Sequence, residues 1–318
     1  MIPDYPLDQD LMLARQGHLP ASVHRFDKDA AVALRAAEAC GRPLLIRGKP
    51  GVGKSQTARA AAVAVGRPFL SVVIDGRSEA QDLMWRFDAV RRLADAQALR
   101  RGAEAKPEDA YVRPEALWWA YDWAGALQWQ KSSGQAERPP AEAPAGWAAG
   151  ADRAVLLIDE IDKADPDLPN ALLDVLANNG FQMPFGRGDV HCAPEARPLI
   201  VITTNDEREL PAAFLRRCLV LTLQLPEDEK RFCAYLQAMG GRHQALRQLT
   251  DPGFHCQVLA EAAQRLWAAR NAPGGEADYQ PGLAEYLDLV TALARLYRKD
   301  GEQLPQLEAL AGLTYRKR

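Results

Sequence analysis

The chain has 318 residues, enough for one large domain or two smaller ones with real cores. Hydrophobic residues make up 47% and charged residues 25%, and a net charge of −3 excludes a generally basic nucleic-acid footprint. Five cysteines, widely spaced and without a C-x-x-C pair, exclude a disulfide framework and a cysteine zinc site, so a reducing compartment is expected. No apolar run approaches the roughly 20 residues that cross a bilayer. MIPDYPLDQD is unlike a signal peptide, and the expected location is cytoplasmic.

Apolar runs alternating with amphipathic stretches predict an α/β domain. A helix over Asp29–Cys40 leads to a buried strand over Pro43–Arg47, a glycine-rich segment, an alanine-rich helix over Ser55–Val65 and a strand over Pro68–Ile74. An insertion of about 76–152 then interrupts the alternation. It is expected to hold a helix over Glu79–Leu99, a polar stretch over Arg100–Asp109, a helix over Pro114–Gln130 and a mobile surface loop, KSSGQAERPPAEAPAGWAAG. Trp119, Trp123 and Leu127 recur every four residues, the spacing of a buried face rather than of a base-stacking platform. A strand over Ala154–Ile158 and a helix over Asp167–Asn178 precede a hairpin within 179–196 that turns at Gly-Arg-Gly-Asp. Strands over Pro198–Thr203 and Leu219–Leu225 complete five parallel strands. Beyond Pro226 the pattern is helical, over Glu227–Met239, Cys256–Arg270, Gly282–Tyr297 and Gln303–Leu310. The reading is a three-layer α/β/α domain with a five-stranded parallel sheet over 1–225, followed by an all-α domain over 226–318.

Gly48–Ser55 reads GKPGVGKS and fits G-x-x-x-x-G-K-[ST] between a strand and a helix. Gly48, Gly51 and Gly53 allow the backbone N–H groups to converge on phosphate, and Lys49, Pro50, Val52 and Gln56 complete the candidate loop. Lys54 places a cation by the β- and γ-phosphates, Ser55 offers a hydroxyl to Mg²⁺, and the helix start adds its dipole. AVLLIDE, Ala154–Glu160, ends an apolar strand in two carboxylates: Asp159 for the magnesium and Glu160 to polarise water, a hydrolase pattern. Asp162 and Asp165 are expected to shape the following loop and cap the next helix. The five histidines share no spacing with acids or cysteines, so no metal beyond magnesium is supported.

With these motifs the sequence resembles the AAA+ superfamily, and within it the MoxR-like ATPases related to the CbbQ and NorQ type. The resemblance is carried by GKPGVGKS, by LLIDEIDKAD (Leu156–Asp165) and by LIVITTNDERELPAAFLRRC (Leu199–Cys218), and covers about Phe26 to Leu225. It implies ATP as ligand, Thr204 and Asn205 in the sensor 1 position, and Asn205 orienting the lytic water beside Glu160. It also implies an arginine finger, with Arg217 aligning best and Arg216 a close second, that reaches the neighbouring subunit's site in a ring, a hexamer in related proteins. The 76–91 segment and the hairpin would face a pore or a protein client, making Met84, Trp85 and Phe87, or Phe181 and Phe185, contact candidates, with ordinary packing as the alternative. A basic sensor 2 residue is missing from Asp278–Val290, so either Arg295 or Arg298 substitutes or the contact is absent. The function implied is an ATP-hydrolysing ring subunit that remodels a client, with a von Willebrand factor A domain protein as the implied partner. The alternative is a nucleotide-dependent switch or scaffold with slow hydrolysis, as in bacterial defence systems. A DNA or RNA motor is the third reading, against which the net charge counts; the basic tail Thr314–Arg318 reads as solvated.

Overall fold

The computed structural model describes residues 2–17, 19–99, 106–136, 139–148, 153–243, 252–272, 281–297 and 302–315. In chain order, a short antiparallel pair β1 (Leu11–Leu13) and β2 (Ser22–His24) precedes α1 (Lys28–Cys40), β3 (Leu44–Arg47), α2 (Lys54–Ala64) and β4 (Phe69–Val73). The insertion follows as α3 (Ala80–Met84), β5 (Trp85–Phe87), α4 (Ala89–Leu99), β6 (Val112–Pro114), α5 (Ala116–Tyr121) and α6 (Trp123–Ser132). Next come β7 (Val155–Asp159), α7 (Asp167–Asn178), β8 (Gly180–Gln182), β9 (Asp189–His191), β10 (Leu199–Thr204), α8 (Ala212–Leu215) and β11 (Leu219–Thr222). Four helices end the chain: α9 (Glu229–Arg242), α10 (Pro252–Arg270), α11 (Leu283–Leu296) and α12 (Gln303–Thr314). No described helix is long and apolar enough to cross a membrane.

By packing, the chain forms two compact units: Met1–Gln9, Arg25–Arg47 and Ser55–Thr222 in one, and Asp10–His24, Gly48–Lys54 and Leu223–Arg318 in the other. The first unit holds a five-stranded parallel sheet of order β11-β3-β10-β7-β4. Its central strands are uninterrupted apolar runs because helices cover both faces, so no polar alternation is tolerated. Leu156, Ile158, Ile200 and Ile202 are buried with Leu70, Leu172 and Phe214 in one core. Asp27 caps α1 by accepting from the Ala30 N–H at 2.7 Å, and Gly41 ends it in the left-handed conformation. In the second unit, Phe232, Leu236, Leu259, Leu266, Tyr286, Leu289 and Leu293 build the core of the helical domain.

The five strands and the helical end follow the sequence expectation, but the insertion does not. The helix expected over Glu79–Leu99 breaks into α3, β5 and α4, with Trp85, Arg86 and Phe87 pairing antiparallel to Pro114, Arg113 and Val112. The helix expected over Pro114–Gln130 breaks at Asp122, whose carboxylate accepts from Gly125 N–H at 2.8 Å and starts α6 afresh. Trp119 and Trp123 are both buried, and their rings meet edge to face across that break. The segment expected to be a mobile loop is, where described, packed down. Trp147 stacks edge-on to Trp123 at 5.0 Å, Ala141 enters the core, and Gln135 donates to the carbonyls of Ala110 and Val112. Residues 137–138 and 149–152 lie outside the described residues, as do most of the polar stretch before Lys106 and the end of the basic tail.

The Trp147 anchor is testable. Trp147→Ala removes one ring of a tryptophan pair, a loss of about 1–3 kcal/mol. Protease cleavage between residues 133 and 153 should accelerate while the sheet stays intact; an unaltered cleavage rate would show that this packing holds nothing.

Candidate nucleotide-hydrolysis site

The glycine-rich segment follows β3 and has backbone angles that only glycine adopts readily: φ of 148° at Gly48, 79° at Gly51 and 97° at Gly53. A Cβ on Gly48 would stand 2.3 Å from the Leu223 carbonyl oxygen and 3.2 Å from Val52, and one on Gly51 would stand 3.1 Å from Ala284. At Gly53 the space is open, leaving room for a ligand to approach the backbone. Lys49 and Pro50 are exposed at the apex, and Gln56 is half-buried in the first turn of α2. Lys54 is buried, its ammonium donating to the carbonyls of Gly48 at 2.6 Å and Lys49 at 3.0 Å, so the cation is held over the loop's own curve.

The acidic half of the site is built by the register between β7 and β10. Ile202 sits opposite Ile158, so the next residues, Thr203 and Asp159, are level at the strands' carboxyl ends. The Thr203 hydroxyl donates to the Asp159 carboxylate and accepts from the Glu160 N–H at 3.0 Å. Ser55 donates to the same carboxylate at 2.8 Å. Glu160 then turns with φ of 60°, a left-handed conformation uncommon outside glycine and frequent at functional sites. That turn brings its carboxylate to the side-chain amide of Asn205, which donates to it at 3.5 Å.

Asn205 is held by a residue whose role the sequence hardly announces. Asp162 is buried and accepts from the backbone N–H groups of Asn205 at 3.1 Å and Glu207 at 3.0 Å, fixing the loop after β10. The sequence expectation is that it shapes the loop following it; the loop it bonds lies 43 residues away in sequence. Asp165 does not cap α7: it is exposed, Pro166 takes the cap position, and no side chain bonds there. Thr204 turns away from the carboxylates and accepts from the Asp206 N–H at 3.0 Å, so the neighbour of Asp159 is Thr203 instead. Arg47, at the end of β3, pairs with Asp206 at 2.8 Å and steadies the same loop. Sequence reasoning missed Thr203, Arg47 and Asp206; the only signal was the threonine pair closing an otherwise apolar strand. Lys163 pairs with Glu207 at 2.6 Å, which raises its pKa, and Glu160 and Asp162 add to the effect.

The residues fit a triphosphate with magnesium. In the second unit, the room where a Gly53 side chain would stand and the Lys54 amine suit phosphate oxygens; in the first, the hydroxyl of Ser55 with the carboxylate of Asp159 is an all-oxygen donor pair suited to a hard cation. No group of three or more His, Cys, Asp or Glu able to hold a metal occurs among the described residues. Such a cation would complete its shell with phosphate and water, as magnesium does.

The profile of the AAA domain (dynein-related subfamily) matches residues 43–218, more than half of the chain. The chain belongs to the AAA family. It is an ATPase by that membership, with a P-loop sheet and a C-terminal helical domain. No curated protein sequence matches it. Among solved structures it is similar to a candidate ATPase of Cytophaga hutchinsonii at 12% identity, covering 89% of this chain and 78% of that one with a TM-score of 0.37. It is also similar to a RuvB variant of Thermotoga maritima at 14% identity, covering 90% and 68% with a TM-score of 0.44.

For this AAA protein the remaining candidates divide. Arg216 and Arg217 close α8 and are exposed, and both backbone carbonyls accept from the Arg42 guanidinium, Arg217 at 3.0 Å from Nε. Met84, Trp85, Phe87 and Phe181 are packed against the core, which favours the packing alternative. Phe185 is 51% exposed, and leans on Phe87 at 6.1 Å, while Arg187 pairs with Asp109. The hairpin and the insertion therefore form one packed body. Arg295 stands in the last turn of α11, far from the glycine-rich loop along the helix. Ala284, in the first turn of α11, abuts Gly51, and Arg295 lies eleven residues on, about 16 Å along the helix. Arg298 lies outside the described residues.

Thr203→Val keeps the shape of the strand and removes the hydroxyl that joins Asp159 to the Glu160 backbone. ATP turnover should fall about ten- to hundred-fold while nucleotide affinity changes less. Equal turnover in the variant and the parent would show that this hydroxyl does not organise the site.

Proposed function

We propose that the chain is one subunit of a ring that couples ATP hydrolysis to remodelling of a partner protein, in the manner of MoxR-type ATPases. The observation that carries this reading is the position of Arg216 and Arg217 within the first unit. They precede β11, which runs parallel to β3, so they stand at the amino-terminal edge of the sheet. Asp159 and Glu160 stand at the carboxyl-terminal edge, three strands across. Strand spacing puts them about 14 Å apart across the sheet and more than about 10 Å apart along it. An arginine side chain does not bridge that distance, so the exposed pair is available to a neighbour's site and not to its own.

In this reading the loop Gly48–Ser55 binds the phosphates, and Ser55 and Asp159 hold the magnesium, which neutralises phosphate charge when bound. Glu160, oriented by Asn205, accepts a proton as water adds to the γ-phosphorus, and the bond to ADP breaks to release phosphate. Arg217, with Arg216 beside it, stabilises charge developing in the adjacent subunit. A protein carrying a von Willebrand factor A domain is the proposed partner, on the strength of the MoxR resemblance. Phe185 is the aromatic in the hairpin best exposed to meet a client. A cytoplasmic location suits the absence of disulfides among the described cysteines.

One observation favours a second reading, a switch with slow turnover. Ala284, in the first turn of α11, abuts Gly51, and the one basic side chain that α11 itself carries, Arg295, stands in its last turn. Steady-state turnover with and without a partner separates the two. Stimulation by a von Willebrand factor A protein supports remodelling, and a very slow rate indifferent to any partner supports the switch.

Glu160→Gln should retain ATP binding and lose turnover by a factor of about 10³ or more. Mixing Glu160→Gln subunits with Arg217→Ala subunits tests the shared site. Each is inactive alone, and a mixture should regain part of the activity because some interfaces pair an intact glutamate with an intact finger. A mixture that stays dead, with ring formation verified, would exclude the intersubunit arrangement for Arg217, and the same pairing with Arg216→Ala assigns the finger.

A further inference from the structure

We infer that the amino-terminal edge of the sheet carries a second ligand site, for a compact anion bearing a phosphate or carboxylate headgroup. A cavity of about 270 Å³ opens there, lined by Ile2, Glu38, Gly41, Arg153, Arg197 and Pro198, among others. Gly41, Arg153 and Pro198 lie just ahead of β3, β7 and β10, three adjacent strands. The cavity is therefore at the opposite sheet edge from Asp159, and is not part of the hydrolytic site.

The charge in this cavity does not balance. The Glu38 side chain is 1% exposed and already saturated: one oxygen accepts from Arg67 at 2.5 Å and from the Tyr5 hydroxyl at 3.3 Å, the other from Arg153 at 2.9 Å. Burial and the Glu38 charge push the Tyr5 phenol above its ordinary pKa, so it stays a neutral donor. Arg153 and Arg197 both line the cavity, whose one lining carboxylate, Glu38, is shared with Arg67 as well. Arg197 has no carboxylate partner among the described residues, and its Nε is buried without a hydrogen-bond acceptor. A desolvated cationic donor left unpaired is unfavourable, and an oxyanion is the group that satisfies it.

The turn beside it is shaped to the guanidinium. Gly41 has φ of 59°, and a Cβ there would stand 2.8 Å from the Arg197 Nη1. The close approach seats the guanidinium against the backbone at the cavity wall. A guanidinium edge binds two oxygens of a phosphate or carboxylate in parallel, which is why the headgroup is assigned to that class. Ala37, Pro194, Pro198 and Ile2 offer apolar contact for a carbon body.

The test is calorimetric titration of the Lys54→Ala protein, whose P-loop is disabled, with inorganic pyrophosphate and with citrate. Saturable binding of either, weakened about ten- to hundred-fold by adding Arg197→Met, is the expected result; which of the two binds tells phosphate from carboxylate. Thermal melts establish that the methionine variant is folded. If it is not, Arg197→Lys keeps the charge and loses the fork, and should still weaken binding. Heats that do not saturate in the Lys54→Ala protein, or an affinity untouched by the substitution at 197, overturn the proposal. A lower melting temperature in Arg197→Met with no anion effect would make Arg197 a counter-charge to the end of α1 and overturn the proposal.

Discussion

The Thr203 hydroxyl is the joint on which the acidic half of the site depends. It donates to the carboxylate of Asp159 and accepts from the backbone of Glu160, so one buried group fixes two neighbouring acids with different tasks. A hydroxyl can do this because it is donor and acceptor at once; valine has the shape and neither function. Its placement depends on the parallel register of β10 against β7, which in turn depends on the apolar faces of both strands being buried. A slip of one residue would send Thr203 to the other face and bring Ile202 to the carboxylate. Core packing and active-site geometry are therefore one constraint at this point.

That dependence explains what the sequence discloses. The P-loop and the DE pair are legible because their chemistry is local: three closely spaced glycines, one lysine, one hydroxyl, two acids at a strand end. The sheet is legible because Leu156–Ile158 and Leu199–Ile202 are unbroken apolar runs, as buried parallel strands must be. Asp162 is not legible as a support for Asn205, since the contact exists only after β7 and β10 pair. The insertion is misread for a different reason. Ala80–Leu99 has helical composition throughout, but β5 gains antiparallel bonds to β6 that outweigh the local preference. Asp122 breaks the following helix by offering its side chain to a backbone N–H, a competition that a count of apolar spacing does not register.

The two edges of the sheet do unlike work for a physical reason. At the carboxyl edge, strand ends deliver Asp159, Thr203 and Arg47 to the loops that follow, the usual place for ligands in open α/β sheets. At the amino edge the same strands begin, and the residues that set their entry are arginines. Arg153 ties its strand to α1 through Glu38, while Arg42 ties α1 to the segment ahead of β11. Each guanidinium spans carbonyls or a carboxylate that two elements share, so strand order is held by charge-assisted bonds as well as by the ladder.

The three-residue turn from α1 to β3 shows how tightly that edge is determined. The left-handed conformation at Gly41 favours glycine, and the missing side chain lets the Arg197 guanidinium settle against the turn. Arg42 donates to the carbonyls of Arg216 and Arg217, fixing the backbone from which the candidate finger projects. Pro43 has no N–H to give, but its carbonyl accepts from Leu219 N–H at 2.9 Å and begins the pairing of β11 with β3. Arg42 thus holds the main chain of this segment, while Phe214 and Cys218 on either side are buried in the core. That leaves both arginine side chains uncommitted to any carboxylate of their own described chain, which is the condition a residue must meet if its partner lies on another molecule.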